Sequence, residues 1–311
     1  MDRKYLAIPW GGRVSSEDGW SGRLQGAYMA PRSQQISHIL IKRSIFGRPK
    51  PVKLENAQQE ADGTLILPSQ QQGNAAPAKG SVSFTSKTVV NYSGGASLPL
   101  RGVILNRERL GMEYILVGTG SEARAIPMNL VDKLASGSPS VSLEKAMLET
   151  LPIFKPDVEA HRNAQAALEK ADPTEDIFHS VQVQAVDGTA YLTGNVRLTV
   201  HKEDAGRAAA SAMGVLTLQN SIVTDWDLDI SIADALAKEG LMRQGVVTLK
   251  SSLGRIRLSG HLTTKELVDK AVTVATGIAG VHAVEHDIQV RPMPTIEPAT
   301  AGETDIETAN H

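Results

Sequence analysis

Residues 188–196 read GTAYLTGNV and residues 254–262 read GRIRLSGHL, which places one pattern 66 positions apart (254 minus 188). The offset continues without a gap to Ile222 and Ile288. The shared positions are mainly glycine, alanine and aliphatic residues, whereas the polar positions differ between the copies. Self-similarity at a fixed offset indicates a duplicated structural unit. The sequence therefore predicts two copies of one small domain in the C-terminal half.

The second copy indicates how such a domain folds. An apolar face that includes Ile232 and Leu236 predicts a first helix, which Asp229 or Ser231 would cap. Period-two alternation then predicts strands, and apolar spacing of three and four residues predicts a second helix. The remaining elements are a hairpin in 247–258, a helix in 267–275 and a strand in 281–290. The predicted order is αββαβ.

The glycine-bounded hairpin, the alanine-rich second helix and the closing glycine-valine strand resemble the BON domain of bacterial osmotically induced and nodulation proteins. The resemblance covers 157–225 and 226–291. It implies non-catalytic binding modules, commonly tied to membrane surfaces or envelope stability, and one protein type of this kind is similar to a potassium binder. It implies structural roles for eight positions: Gly188, Gly194, Gly214, Val215, Gly254, Gly260, Gly280 and Val281.

The N-terminal half also repeats. GAYMAPRSQQISHILI (26–41) aligns without a gap with GVILNRERLGMEYILV (102–117), an offset of 76. Short alternating strands between turns predict a small barrel, and this half resembles two PRC-barrel domains at 1–68 and 81–150, joined by a polar linker at 69–80. The predicted class is thus α+β multidomain, with two small antiparallel β-barrels followed by two αββαβ domains.

Composition and charge limit the possible functions. The 311 residues include no Cys, which excludes disulfide scaffolds, zinc ribbons and cysteine nucleophiles. Residues 1–151 carry 18 Lys/Arg against 12 Asp/Glu, whereas residues 152–311 carry 14 against 22. The first twelve residues break at Pro9 before a signal-peptide core forms. We therefore expect a cytoplasmic protein, with the inner membrane surface as an alternative, and an acidic disordered tail at 292–311.

The common catalytic motifs are absent from the sequence, including the phosphate-binding loop, the dinucleotide fingerprint and the nucleophile elbow. Two patterns have metal-ligand character, and these are Asp225-x-Asp227-x-Asp229 and the pair His282 and His286. The first lacks the glycine and glutamate of a calcium loop and is interpreted as a linker whose aspartates cap a helix. The second is interpreted as a solvated strand face. The sequence predicts no catalytic residue, no metal and no cofactor, hence a protein that is not an enzyme.

The densest basic run is the strongest candidate for binding. It has no carboxylate between Lys42 and Leu54 and consists of Lys42, Arg43, Arg48, Lys50 and Lys53. Such a run fits phosphates of lipid head groups or of RNA, and a solvated barrel loop is the alternative. We therefore expect a non-enzymatic binding or scaffold protein that contacts a protein partner or an anionic membrane surface. The alternatives are an RNA- or ribosome-associated factor and potassium binding by the BON-like domains.

Two further expectations concern partners. No DNA partner is expected. The opposite charges of the two halves would let copies of the chain dock on one another, so a homo-oligomer is an additional hypothesis.

Overall fold

The computed structural model describes the chain except for a few short segments and the C-terminus, namely residues 3–31, 33–69, 76–93, 95–119, 122–134, 138–174 and 176–292. The predicted tail lies outside these residues from position 293 onward, as does much of the predicted linker. The chain divides into two compact units, Met1–Val223 and Thr224–His311. The described part is a mixed α+β structure, mostly sheet, with five α-helices.

The N-terminal half is built almost entirely from strands. In chain order these are β1 (Tyr5–Pro9), β2 (Arg13–Ser16), β3 (Ser21–Met29), β4 (Ile36–Lys42), β5 (Lys50–Lys53), β6 (Gln58–Gln59), β7 (Leu65–Leu67), β8 (Val82–Thr85), β9 (Val89–Tyr92), β10 (Ser97–Asn106), β11 (Met112–Val117), β12 (Ala123–Pro127), β13 (Val131–Lys133), β14 (Ser140–Val141) and β15 (Ile153–Phe154). A short helix, α1 (Lys145–Leu148), precedes β15.

These strands form two sheets of matching order. One runs β5-β4-β3-β2-β7-β6 with β8 added on β3, and the other runs β13-β14-β9-β10-β11-β12-β15 with β1 added on β10. Neither sheet closes on itself within the residues that the structure describes, so the prediction of two small closed barrels is corrected to two open sheets. The physical reason is that each copy buries its sheet against the other in one common core instead of around its own axis.

The two sheets exchange their first strands. Strand β1 pairs with β10 of the second copy, where Ile8 lies opposite Val103. Strand β8 pairs with β3 of the first copy, where Phe84 lies opposite Ala27. Since Ala27 and Val103 are 76 positions apart, the exchange follows the repeat predicted from the sequence. The segments 1–68 and 81–150 therefore each supply one strand to the other's sheet.

The first C-terminal repeat, as far as Val223, lies in the same compact unit as these sheets. Its elements are α2 (Asp157–Ala171), β16 (Gln182–Val186), β17 (Thr189–Thr193), β18 (Asn195–Val196), α3 (Thr199–Ala210), β19 (Thr217–Asn220) and β20 (Val223–Thr224). Strand β17 lies between β16 and β19, and it pairs with β19 in parallel. Ala164 of α2 and Ala209 of α3 are fully buried in its core, because small residues let helices pack closely. The main elements follow the αββαβ order.

The second repeat forms the other compact unit. Its elements are α4 (Asp225–Lys238), β21 (Gly245–Ser252), β22 (Arg255–Leu262), α5 (Lys265–Thr276), β23 (Ala283–His286) and β24 (Gln289–Val290). Helix α4 begins one turn earlier than the sequence predicted, so Asp229 and Ser231 lie inside it. Thr224 caps it instead, through a capping box in which Thr224 and Asp227 exchange two hydrogen bonds of 3.1 Å. The earlier start also buries Leu228.

The motif glycines of both repeats lie where a side chain would clash or strain the backbone. Gly188 follows Asp187 in a two-residue hairpin turn, and both have positive φ, 72° and 54°, which fits a type I′ turn. A Cβ on Gly194 would lie 2.0 Å from the Ser180 carbonyl oxygen, and one on Gly260 would lie 2.1 Å from that of Val246. Such a separation is far below van der Waals contact. These glycines therefore shape the fold.

An ion cluster ties the N-terminus to the first repeat, and we call Arg3, Asp157 and Asp187 the N-terminal ion cluster. Arg3 Nη1 lies 2.7 Å from Asp157 Oδ2 and 3.6 Å from Asp187 Oδ1. The backbone N–H groups of Lys4 and Tyr5 also donate to Asp187. Burial raises the pKa of Asp187, Asp157 adds to this, and the N–H donors and Arg3 oppose it. Folding therefore disfavours the ionised form of Asp187 relative to the unfolded chain.

This raised pKa predicts a pH dependence that Asp187→Asn removes. The folded state takes up the Asp187 proton before the unfolded state does, so stability rises as pH falls through the raised pKa toward the ordinary value of 3.8. We expect the difference in melting temperature, wild type minus Asp187→Asn, to increase as the pH is lowered from 7 to 4. Asparagine tolerates the positive φ at this position, which makes the comparison fair. A difference that stays constant, or changes in the opposite direction, would contradict the assignment.

Candidate binding surface

The predicted basic run lies on the β4–β5 hairpin. Lys42 ends β4, Lys50 begins β5, and Arg43 and Arg48 lie in the loop between them. These four define the basic hairpin. Within the described part of the chain, none of the four has a carboxylate partner. The structure therefore places four of the five predicted residues at one end of the hairpin.

Lys53 is the exception. It ends β5 opposite His38, away from the loop, and its Nζ lies 2.5 Å from Glu55 Oε1. In the sequence, Lys53 is close to the other four basic residues. In the structure, strand β5 carries it away from the loop. Lys53 therefore serves as an internal control for the basic hairpin.

An apolar tip lies between the basic residues. Ile45 and Phe46 are 83% and 97% exposed, the highest values among the large hydrophobic side chains of the described residues. The sequence analysis treated Phe46 only as an interruption of the basic run. The signal that could have identified the tip is an apolar pair followed by Gly47 and Pro49, in a loop where no sheet or helix period would bury it.

A row of basic residues crosses the adjacent sheet. Arg13 of β2 lies opposite Arg23 of β3, and Arg23 lies opposite Lys42 of β4. Directly opposite residues share a face with Cβ atoms about 5 Å apart, and like charges there are destabilising. The sequence analysis missed Arg13 and Arg23, because only the strand register brings them beside Lys42. We call these three the basic row.

The basic row lines an open groove of about 690 Å³, which Arg43 and Ile45 also border. Two acidic residues, Glu60 and Asp62, lie on its edge. Thr64 engages Asp62 through its N–H at 2.8 Å and its hydroxyl at 3.0 Å. These hydrogen bonds, and to a smaller extent the charge of Arg13, hold the pKa of Asp62 below its usual value. The groove has four cationic side chains and two anionic ones, so it favours an anionic ligand.

An aromatic contact orients the start of the loop. The Arg43 guanidinium carbon lies 3.6 Å from the centre of the Trp20 ring, within the range of a cation–π interaction. Trp20 itself packs against the core of the two sheets. The stacking joins the first loop residue to the sheet and leaves the apolar tip as the outermost part of the hairpin.

Asp225 and Asp227 of the first metal-like pattern have structural roles, and the two histidines of the second are solvent-exposed. Asp227 takes part in the capping box of α4, and Asp225 Oδ1 accepts a hydrogen bond of 2.6 Å from the Leu253 N–H in the β21–β22 turn. His282 precedes β23 and His286 ends it. The described residues contain no group of three or more ligand side chains placed to hold a metal ion. No described helix is both long enough and apolar enough to cross a bilayer.

Comparison with known proteins identifies the C-terminal repeats. The family model of the BON domain matches residues 156–225 and 224–292. No family model supports the PRC-barrel resemblance of the N-terminal half, which stays a prediction. A search of curated proteins found no match.

Two solved structures are similar to part of the chain. The first comes from studies of CdsD, a structural protein of the type III secretion system of Chlamydia trachomatis, and has 18% identity and a TM-score of 0.36. The second is the C-terminal domain of the same protein, with 17% identity and a TM-score of 0.36. The matches cover 45% and 44% of this chain, and 65% and 68% of those chains. The first match thus spans just under two thirds of its relative. The C-terminal region of this chain contains two BON domains, in residues 156–292.

Proposed function

We propose that the chain is a non-enzymatic binding and scaffold protein that associates with an anionic membrane surface through the basic hairpin. One observation carries the proposal: four basic side chains without carboxylate partners surround an apolar tip that is almost fully exposed. The two BON domains agree with a binding role. The cytoplasmic leaflet has the negative surface potential that such a hairpin fits, so we place the protein at the cytoplasmic face of the inner membrane.

The charge of the hairpin is large enough for reversible attachment. A Lys or Arg near an anionic surface contributes about 1 kcal/mol, so four contribute about 4 kcal/mol at low salt. Exposed charges are screened beyond a Debye length of about 8 Å at physiological ionic strength. Binding should therefore weaken steeply as salt rises.

RNA binding is less well supported by the same surface. Platforms for single-stranded RNA usually combine basic grooves with several stacking aromatics. Arg43 already covers one face of Trp20, which leaves Phe46 as the exposed aromatic of the hairpin. The RNA alternative is therefore an outcome of the experiment below, and potassium binding stays a prediction that ion-dependent melting would test.

Vesicle sedimentation tests the proposal. At 50 mM salt we expect the full chain to sediment with vesicles containing about 30% phosphatidylglycerol, and to remain in solution with neutral phosphatidylcholine vesicles or in 500 mM salt. The double variant Arg48→Gln/Lys50→Gln should bind about 30-fold more weakly, since it loses two surface charges. The matched control Lys53→Gln, whose lysine pairs with Glu55, should change affinity less than about twofold.

Two results would overturn the proposal. One is the absence of sedimentation with anionic vesicles at 50 mM salt. The other is a loss of binding free energy per charge removed that is the same for Lys53→Gln as for the double variant, which would mean that net charge matters and the hairpin does not. Retention on ribosomal RNA under conditions where vesicles fail to bind would favour the RNA alternative.

A further inference from the structure

We infer that the apolar tip, Ile45 and Phe46, inserts into the boundary between head groups and acyl chains of an anionic bilayer. This inference rests on the proposed function and adds a mode of attachment, namely a hydrophobic wedge held between basic flanks. The contact element in this inference is the β4–β5 hairpin.

The exposure of the tip is unusual within this chain. The protein has four Phe, and of these Phe84 and Phe178 are buried while Phe154 is half-buried. Phe46 is 97% exposed. A fully exposed phenylalanine gains nothing for folding, because burial of apolar area is what makes such a side chain stabilising. Its side chain is therefore available to a partner outside the described residues.

The internal repeat shows that the hairpin does not require an apolar loop. The equivalent connection in the second copy joins β11 to β12 and reads GTGSE at 118–122, which is short, polar and free of basic residues. The first copy uses RSIFGRP at 43–49. The same strand pair is thus closed by a water-compatible loop in one copy and by a basic and apolar loop in the other.

Basic residues flank the apolar tip on both sides, as insertion into an anionic bilayer requires. Lys42 and Arg43 precede the tip, and Arg48 and Lys50 follow it. Interfacial segments bury their apolar residues about 5–10 Å into the bilayer boundary while Lys and Arg extend to the phosphates. The groove beside Ile45, which contains the basic row, adds positive charge next to the inserted tip. This charge complementarity selects an anionic bilayer as the occupant of the surface.

A single-cysteine probe tests insertion directly, because the natural chain has no cysteine. Gly47→Cys places the probe beside the tip, and an added Cβ there has its nearest neighbour at 3.4 Å, an ordinary contact. We expect an environment-sensitive NBD label at this position to shift to shorter wavelength and brighten with anionic vesicles. Nitroxide lipids labelled at a shallow acyl position should quench it. The same label on Lys87→Cys, in the exposed β8–β9 turn, should show neither change.

A second pair of variants measures what insertion contributes. Ile45→Ser/Phe46→Ser should weaken binding to anionic vesicles at least about 10-fold at fixed salt, as expected for two apolar side chains withdrawn from the boundary. The salt dependence of the remaining binding should be unchanged, since every basic residue is kept. Val200→Ser, which removes a half-exposed valine of α3, should leave the affinity unchanged and serves as control.

The outcomes separate this inference from the proposed function. Salt-sensitive vesicle binding without a change in the Gly47→Cys label would overturn insertion and leave membrane association standing. Failure of all vesicle binding would remove the proposed function, and the inference with it. A label shift that grows with protein concentration in the absence of vesicles would show that the tip contacts a second copy of the chain, which would also overturn insertion.

Discussion

Asp157→Ala is expected to lower the free energy of unfolding of the Met1–Val223 unit by about 3–5 kcal/mol, the cost of breaking a buried ion pair from one side. Asp157 is the first residue of α2 and only 7% exposed. Its carboxylate accepts hydrogen bonds of 3.1 and 3.2 Å from the N–H groups of Asp187 and Gly188. It also pairs with Arg3 at 2.7 Å. One truncation therefore leaves a guanidinium and two backbone donors without their principal acceptor.

The measurement is urea unfolding followed by the fluorescence of Trp10 and Trp20 in the N-terminal half. A Trp226→Phe background removes the third tryptophan, which is 65% exposed in the other compact unit. Asp204→Ala is the control, because Asp204 pairs with Arg207 on the surface of α3, and such a pair contributes less than about 1 kcal/mol. If Asp157→Ala costs no more than the control, the N-terminal ion cluster does not hold the first repeat to the N-terminal strands.

The sequence predicted the αββαβ repeats well because their signals are local. Period-two alternation around Leu192 and Leu258, and helical spacing around Ala205 and Ala271, each indicate an element without reference to the rest of the chain. The offset of 66 then joined these elements into two copies of one domain. The start of α4 was the exception, because Thr224 caps the helix through the N3 position, a pairing that the apolar pattern does not display.

The arrangement of the N-terminal strands could not be predicted in the same way. Alternation shows that a segment is a strand but does not say which strand pairs with it. Ile8 and Phe84 are each buried in the sheet of the other copy. No local signal shows whether a strand pairs within its own copy or with the other copy. For the same reason the sequence did not predict that Arg13 and Arg23 lie beside Lys42, because only the strand register brings them together. Nonlocal pairing thus accounts for the two basic residues missed in the candidate binding surface as well as for the incorrect barrels.

Gly102→Ala is expected to release strand β1 and to destabilise the Met1–Val223 unit by about 3–5 kcal/mol, the burial free energy of the two side chains that β1 would expose. A Cβ at position 102 would lie 2.4 Å from the Ile8 carbonyl oxygen and 2.7 Å from the Pro9 Cα. The contact atoms are backbone, so only movement of β1 relieves the clash. That movement withdraws Leu6 and Ile8, which are 1% and 0% exposed, from the core.

The repeat supplies the matched experiment. Gly26, 76 positions earlier, would place a Cβ 2.2 Å from the Phe84 carbonyl oxygen, so Gly26→Ala should release β8 at a similar cost. Gly111→Ala is the control, since its nearest neighbour is an Arg109 side-chain atom at 3.5 Å. Hydrogen exchange should show lost amide protection in β1 for Gly102→Ala and in β8 for Gly26→Ala. Because each strand pairs with the other copy's sheet, destabilisation that leaves the exchanged strand protected would contradict the strand exchange itself.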